Sequence, residues 1–200
     1  MTEEEKKNLL SINKEYLSIG ITEGGESYNA ISVPWERTGN AYNMRTPDVY
    51  LAPEDLEDSE IMELISKFKI SGCYIWTPLR DYSFLSSFKY MFDLNIKWAD
   101  NMKNLDFLKE MYHCYMLFLH NAHLENIDVI LDVKKSGKTV FGAFECVGLC
   151  NCYIDDVSRF EKEHVRFNEF LVWNDEDRNE RARWDCIDAS FKKYYDMKKN

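Results

Sequence analysis

The feature that most constrains this fold is a pattern of apolar residues that recurs about every 23 residues. When residues 81–100 are aligned with residues 104–123, seven apolar positions agree in type. The shared pattern is apolar-x-x-apolar-x-apolar-x-x-small, seen in Met91-x-x-Leu94-x-Ile96-x-x-Ala99 and again in Cys114-x-x-Leu117-x-Leu119-x-x-Ala122. Self-similarity at a fixed period is typical of repeat proteins, in which each unit buries its apolar face only against its neighbours.

Further copies extend the pattern in both directions. One period earlier it reads Ile70-x-x-Cys73-x-Ile75-x-x-Pro78. One period later a degraded copy reads Thr139-x-Phe141-x-x-Phe144, and a last copy at a longer spacing reads Val165-x-Phe167-x-x-Phe170. Segments 79–85, 102–108 and 124–130 follow three successive copies at matching positions.

This pattern resembles the leucine-rich repeat, L-x-x-L-x-L-x-x-N, in the internalin-like bacterial type. The copy is degenerate, because the position of the family's asparagine ladder holds Pro78, Ala99, Ala122 and Phe144. The resemblance implies an α/β fold: a solenoid of short parallel strands with an irregular or helical convex side and helical caps. It covers roughly residues 56–170, which leaves 1–55 as an acidic N-terminal capping segment and 171–200 as a C-terminal capping helix.

Each cap has its own expected structure. Residues 1–20 are predicted to form a helix whose apolar members include Leu9 and Leu17, and a hairpin is expected around residues 30–33. At the other end, Asn174 and Asp177 suit a helix start, and apolar residues then recur at helical spacing up to Tyr194. An alternative to the whole repeat interpretation is a set of amphipathic helices, since SFLSSFKYMF (83–92) also fits helical spacing.

Under the repeat interpretation, alternate residues of each strand face outward and together form one concave surface. Tyr, Trp and Phe on such a surface are the residue types enriched at interface hot spots. We therefore predict a partner-binding face. Its members are Tyr74, Trp76, Asn95, Lys97, Phe118, His120, Val140 and Arg166. The alternative is that the terminal segments cover this sheet and make its aromatic residues part of the core.

The candidate metal-binding and nucleotide-binding motifs lack the geometry or the spacing that such sites need. In YHCYMLFLHNAH (112–123) the register sends His113, Cys114, His120 and His123 in at least three directions, whereas zinc needs about four converging ligands. The three cysteines at 146, 150 and 152 form C-x3-C-x-C, which is not a zinc spacing. The SGKT tetrapeptide at 136–139 has no glycine five residues before Gly137, so a phosphate-binding loop is not expected. We predict no metal and no cofactor.

Charge and hydropathy limit the partners. The net charge is −10, and residues 1–60 carry 13 acidic and 5 basic residues, so a basic protein surface is favoured over nucleic acid. The acidic start MTEEEKKNLL does not resemble a signal peptide, and no apolar run is long enough for a membrane span, so a cytoplasmic location with reduced thiols is expected.

These observations favour a non-enzymatic protein–protein interaction module that uses an aromatic concave face. One alternative is a small hydrolase-like enzyme with a site between the repeats and the caps, using His120 and His164 as acid–base residues. Another is an acidic inhibitor or immunity-type protein, which small size and high acidity permit.

Overall fold

Eight strands form one sheet in which seven are parallel. The structure, a computed structural model, describes residues 1–12, 15–25, 48–111, 113–136, 144–163, 167, 169–173 and 182–183. The strands are β1 (Tyr16–Ile21), β2 (Asp48–Leu51), β3 (Lys69–Ile75), β4 (Tyr90–Ile96), β5 (His113–His120), β6 (His123–Asn126), β7 (Cys146–Cys150), β8 (Tyr153–Asp156), β9 (Glu169–Trp173) and β10 (Ala182–Arg183). The helices are α1 (Glu3–Leu10), α2 (Ser59–Ser66), α3 (Asp128–Lys135) and α4 (Ser158–Lys162). Three 3-10 helices span Pro53–Glu57, Ser83–Ser87 and Asp106–Glu110.

The order of strands in the main sheet follows the chain over most of its width. It runs β2-β1-β3-β4-β5-β7-β9-β10, and only β10 is antiparallel to its neighbour. Strands β6 and β8 form a separate two-stranded parallel sheet. The α/β class is therefore as predicted, with a mostly parallel sheet and few helices.

One side of the main sheet carries the core because aliphatic side chains occupy matching register positions in successive strands. Ile75 lies opposite Ile96, which lies opposite Leu119, and Leu119 lies opposite Leu149. A second such row follows Cys73, Leu94, Leu117, Val147 and Phe170. All of these side chains are almost fully buried. At about 25 cal/mol per Å² of apolar surface, rows of this kind supply the main stabilising term of the fold.

The short helices that follow β3, β4, β6 and β8 begin in the same way. The side-chain oxygens of Asp81, Asn104, Asn126 and Asp156 accept the backbone N–H two residues ahead, at 2.9, 3.1, 3.2 and 2.8 Å. Asx residues stabilise such turns because their short side chains imitate a backbone acceptor. Buried Leu85 and Leu108 then pack the two central 3-10 helices against the core.

Two asparagines follow β5 and β7, one position before the small residue that ends the sequence pattern. Asn121 and Asn151 adopt left-handed backbone conformations, with φ of 63° and 51°, directly after β5 and β7. The Asn151 side-chain amide donates to Asn121 Oδ1 at 3.3 Å, and the Asn121 amide donates to the Lys97 carbonyl at 3.2 Å. These bonds link three successive turns.

Several predictions for the N-terminal segment were wrong in detail. The helix ends at Leu10, and Leu17 lies in β1. The reason is that Leu17-Ser-Ile19-Gly-Ile21 alternates with period two, which favours a strand over a helix. The expected capping segment 1–55 thus contributes β1 and β2 to the main sheet. The hairpin expected around residues 30–33 lies outside the described residues.

The later repeats follow a different spacing from the one predicted. In the main sheet β5 is followed by β7, whose Val147 pairs with Leu117 thirty residues earlier, so the copy reads Phe144-x-x-Val147-x-Leu149-x-x-Cys152. Residues 139 and 141 of the predicted copy lie outside the described residues. Helix α3 lengthens this connection beyond the period seen in the preceding units. In the last copy Phe170 and Val172 are buried and Phe167 packs against the core, whereas residue 165 lies outside the described residues.

Two helical predictions also differ from the structure. Residues 83–92 form a 3-10 helix and the start of β4 rather than an amphipathic α-helix. Within the expected C-terminal capping helix, Ala182–Arg183 form the short strand β10. Residues 171–173 of that predicted helix belong to β9, and its other residues lie outside the described part of the chain.

We expect Asn121→Ala to lower the free energy of unfolding by about 2 kcal/mol and Asn121→Gly by about 1 kcal/mol. Both variants lose the hydrogen bonds that the Asn121 side chain makes to the neighbouring turns. Only alanine is also strained in the left-handed backbone conformation. Urea unfolding of the two variants and the wild type measures both contributions, the lost hydrogen bonds and the backbone strain. Equal stability of all three proteins would contradict this role for Asn121.

Candidate functional site

The side of the sheet opposite the core carries the predicted binding residues in register. We call the side chains of β3, β4 and β5 on that side, with the residues that directly follow these strands, the outward face. Tyr74 lies opposite Asn95, which lies opposite Phe118. Trp76, Lys97 and His120 follow at the next outward position. The sequence therefore placed these six residues on one face.

A polar central strand lies between two aromatic strands on this face. Alternate outward residues of β4 are Asp93, Asn95 and Lys97, which we call the β4 stripe. Trp76 flanks the stripe on the β3 side and Phe118 on the β5 side. Trp76, Asn95, Phe118 and His120 are half-buried, and Lys97 is exposed. The β4 stripe and its aromatic neighbours thus offer a partner both apolar surface and polar groups.

Tyr74 departs from the prediction, because its side chain is only 8% exposed. Its ring lies over Gly72, where an added Cβ would be 2.6 Å from the Tyr74 Cε2 atom. The hydroxyl donates a hydrogen bond to Asp93 Oδ2 at 3.0 Å. The ring also stacks on Trp76, with centroids 5.6 Å apart and planes inclined by 17°. Tyr74 thus supports Trp76 rather than forming accessible surface.

Asp93 is a buried carboxyl on this otherwise accessible face. Its side chain is 7% exposed, and among the described residues no hydrogen-bond donor reaches its Oδ1 atom. Burial raises the pKa of Asp93 to about 7, and the hydrogen bond from Tyr74 opposes this shift only in part. Burial, with the nearby Asp93 charge as a smaller cause, also raises the pKa of the Cys73 and Cys114 thiols.

A second aromatic cluster lies at the start of the same strands. Tyr90 stacks on His113 at 4.7 Å, and Phe92 stacks on Tyr115 at 4.9 Å. The Lys69 Nζ atom lies 5.5 Å from the Tyr16 ring centroid and 5.6 Å from that of Tyr90. Lys69 also forms an ion pair with Glu15. This cluster therefore already binds a cation of its own chain.

This second cluster was not part of the predicted binding face. The inward positions Met91 and Leu94 are three residues apart, so two successive residues, Phe92 and Asp93, lie between them. A register shift between β1 and β3 marks the same irregularity. The three-residue spacing between the first two apolar positions is visible in the sequence pattern. It was the signal that could have placed Tyr90, Phe92 and Tyr115 on the outward side.

The four ligand-type residues of the 112–123 segment occupy separate environments. Cys114 lies in the core, and His113 is 3% exposed with its pKa lowered by burial. His120 lies on the outward face. His123 belongs to β6, where its Nε2 atom is 3.0 Å from Asp155 Oδ1. Within the described residues, no group of three or more His, Cys, Asp or Glu side chains is arranged to hold a metal ion.

The remaining predicted residues fall elsewhere. Val140 and Arg166 of the predicted face lie outside the described residues, and so does His164 of the enzyme alternative. In place of residue 140, β7 presents Cys146 and Gly148 to the outward face. Cys152 lies in the core and directs its thiol to the Leu119 carbonyl at 3.4 Å.

A cleft of about 480 Å³ lies in the connections that follow β3 and β4, away from His120. It is lined by Arg80, Asp81, Tyr82, Ser83, Ser86, Asn101, Met102, Lys103, Asn104, Asp106 and Phe107. The enzyme alternative placed His120 at its site, and the structure does not bring His120 to this cleft.

Comparison with protein-family models, with curated proteins and with solved structures found no match to this chain. In the described part of the chain, no helix has both the length and the apolar character needed to cross a membrane.

We expect Asp93→Asn to be more stable than the wild type at pH 8. Because the pKa of Asp93 is raised from 3.8 to about 7 on folding, the folded protein keeps a proton that the unfolded chain has lost. The free energy of unfolding therefore falls as pH rises from about 4 to 7, by up to about 4 kcal/mol at 1.36 kcal/mol per pKa unit.

Urea unfolding at pH 5 and pH 8 measures this effect. The asparagine variant should lose this part of the pH dependence, whereas exposed Asp100→Asn should retain it. An unchanged pH dependence in Asp93→Asn would show that the carboxyl is not protonated on folding.

Proposed function

We propose that this chain is a small leucine-rich-repeat-like solenoid that binds another protein through the outward face and catalyses no reaction. The repeat assignment is supported by the Asx residue at the start of four connecting helices and by the aliphatic rows in matching register. Neither feature is needed by an isolated strand, and both suit units that stack on one another.

The observation that carries the binding proposal is the support given to Trp76. Its indole ring is half-buried, stacks on Tyr74, and is held indirectly by the hydrogen bond from Tyr74 to Asp93. A ring fixed in this way loses little conformational freedom when a partner covers it, which favours affinity. Trp and Tyr are also the residues most enriched at interface hot spots.

Phe118 provides the second apolar contact on the other side of the β4 stripe. Its register neighbour in β7 is Gly148, which has no side chain to cover it. Phe118 itself is half-buried, so part of its surface is accessible. With Trp76 it gives two aromatic contacts separated by a polar strand, an arrangement suited to a protein surface of mixed polarity.

The partner is proposed to be basic overall. The chain carries a net charge of −10, with most of it in the first 60 residues, and long-range attraction would increase the rate of association with a positively charged protein. We also propose a cytoplasmic location, in which the free thiols of Cys73, Cys114, Cys146, Cys150 and Cys152 would stay reduced.

We expect Trp76→Ala and Phe118→Ala each to weaken partner binding by at least about tenfold, as hot-spot truncations do. The test is capture of a partner from a lysate of the source organism on immobilised wild-type protein, followed by titration of each variant. Leu10→Ala is the control, because Leu10 is an exposed apolar residue on α1.

Thermal unfolding of each variant verifies that it is folded. Because Trp76→Ala also removes a stacking contact, Phe118→Ala is the cleaner test of binding. Folded variants that bind as tightly as the wild type would contradict the proposed face.

A further inference from the structure

Lys97 is an exposed cation directly after the central strand of the outward face, and none of the described carboxylates pairs with it. Among the described residues, no acidic group lies within ion-pair distance of its Nζ atom. Lys69 on the same side of the sheet differs, since it pairs with Glu15 and lies over two tyrosine rings. Lys134, packed over Phe167, pairs with Glu145 at 3.3 Å.

Asp93 is the acidic member of the same stripe, but it does not neutralise Lys97. It lies four residues earlier along β4, about 13 Å away at the rise of a strand. Its Oδ2 atom accepts the Tyr74 hydroxyl, and its carboxyl is buried. Among the described residues, neither Asp93 nor any other carboxylate therefore pairs with Lys97.

A partner that covers both aromatic contacts must also cover Lys97. Trp76 and Lys97 directly follow β3 and β4, and Phe118 lies in β5. Adjacent strands lie about 4.8 Å apart, so a surface that spans Trp76 and Phe118 also reaches Lys97. Removing an ammonium group from water without a counter-charge strongly opposes binding. A partner that binds tightly must therefore supply the missing negative charge.

We infer that the partner places an Asp or Glu side chain against Lys97, at the centre of its contact with the outward face. This inference rests on the proposed function and specifies the chemistry of the partner. A protein that is basic overall would thus carry one carboxylate inside its contact surface. The partner's net positive charge and its single carboxylate act at different distances. The net charge governs the rate of approach, and the pair between Lys97 and the carboxylate governs which protein remains bound.

Carbodiimide cross-linking of the captured complex tests the inference, because the reagent joins an amine to a carboxylate only when the two are in contact. Mass spectrometry of wild-type complexes should identify a link from Lys97 to an Asp or Glu side chain of the partner. Lys97→Arg should lose that link and keep binding, since the guanidinium retains the charge. A link to the partner's C-terminal carboxylate instead would overturn the assignment to a side chain.

Charge reversal provides the second measurement. Lys97→Glu should weaken binding at least about tenfold, as expected when a close charge pair becomes repulsive. Lys103→Glu, at an exposed lysine outside the sheet, makes the same change in net charge and should have a much smaller effect. Substitution of the cross-linked partner acid by lysine should restore binding to Lys97→Glu.

The outcomes separate this inference from the proposed function. A partner that depends on Trp76 and Phe118 but binds Lys97→Glu as tightly as the wild type would overturn the carboxylate inference alone. Failure to capture any protein whose binding depends on Trp76 or Phe118 would overturn both.

Discussion

The structure depends on one constraint: short parallel strands must keep their aliphatic side chains in matching register. A strand directs alternate residues to opposite sides, so a shift by one residue would move the aliphatic rows away from the core. The rows through Ile75, Ile96 and Leu119 prevent such a shift. The same register determines which residues share the outward face. Core and candidate binding face are therefore two consequences of one pattern.

The outward face carries one group that opposes stability, the buried carboxyl of Asp93. A buried Asp with an oxygen that no described donor reaches is unfavourable in itself. Through Tyr74, however, it fixes the ring on which Trp76 stacks. Polar groups that reduce stability are common where a binding surface has to be held in one conformation. In this sense the stability of the sheet and the order of the face are coupled.

The sequence allowed a correct prediction of the central strands because their pattern recurs at nearly constant spacing. It missed β1, where helical and alternating patterns overlap around Leu17, and it misplaced β7, because α3 lengthens the connection before Val147. The six central face residues followed from the register. The burial of Tyr74 did not, because it depends on Gly72 and Asp93 in neighbouring positions. The contacts of Asn121 and Asn151 were missed because both lie one residue before the position at which the resemblance led us to expect an asparagine.

The most direct test of this account is an NMR measurement of contacts between backbone protons of β3, β4 and β5 in a deuterated sample. In the register described above, contacts join Cys73 to Leu94 and Leu94 to Leu117. A second set joins Tyr74 to Asn95 and Asn95 to Phe118. Sequential contacts typical of a helix across residues 113–120, or strand contacts displaced by one residue, would contradict both the fold and the face built on it.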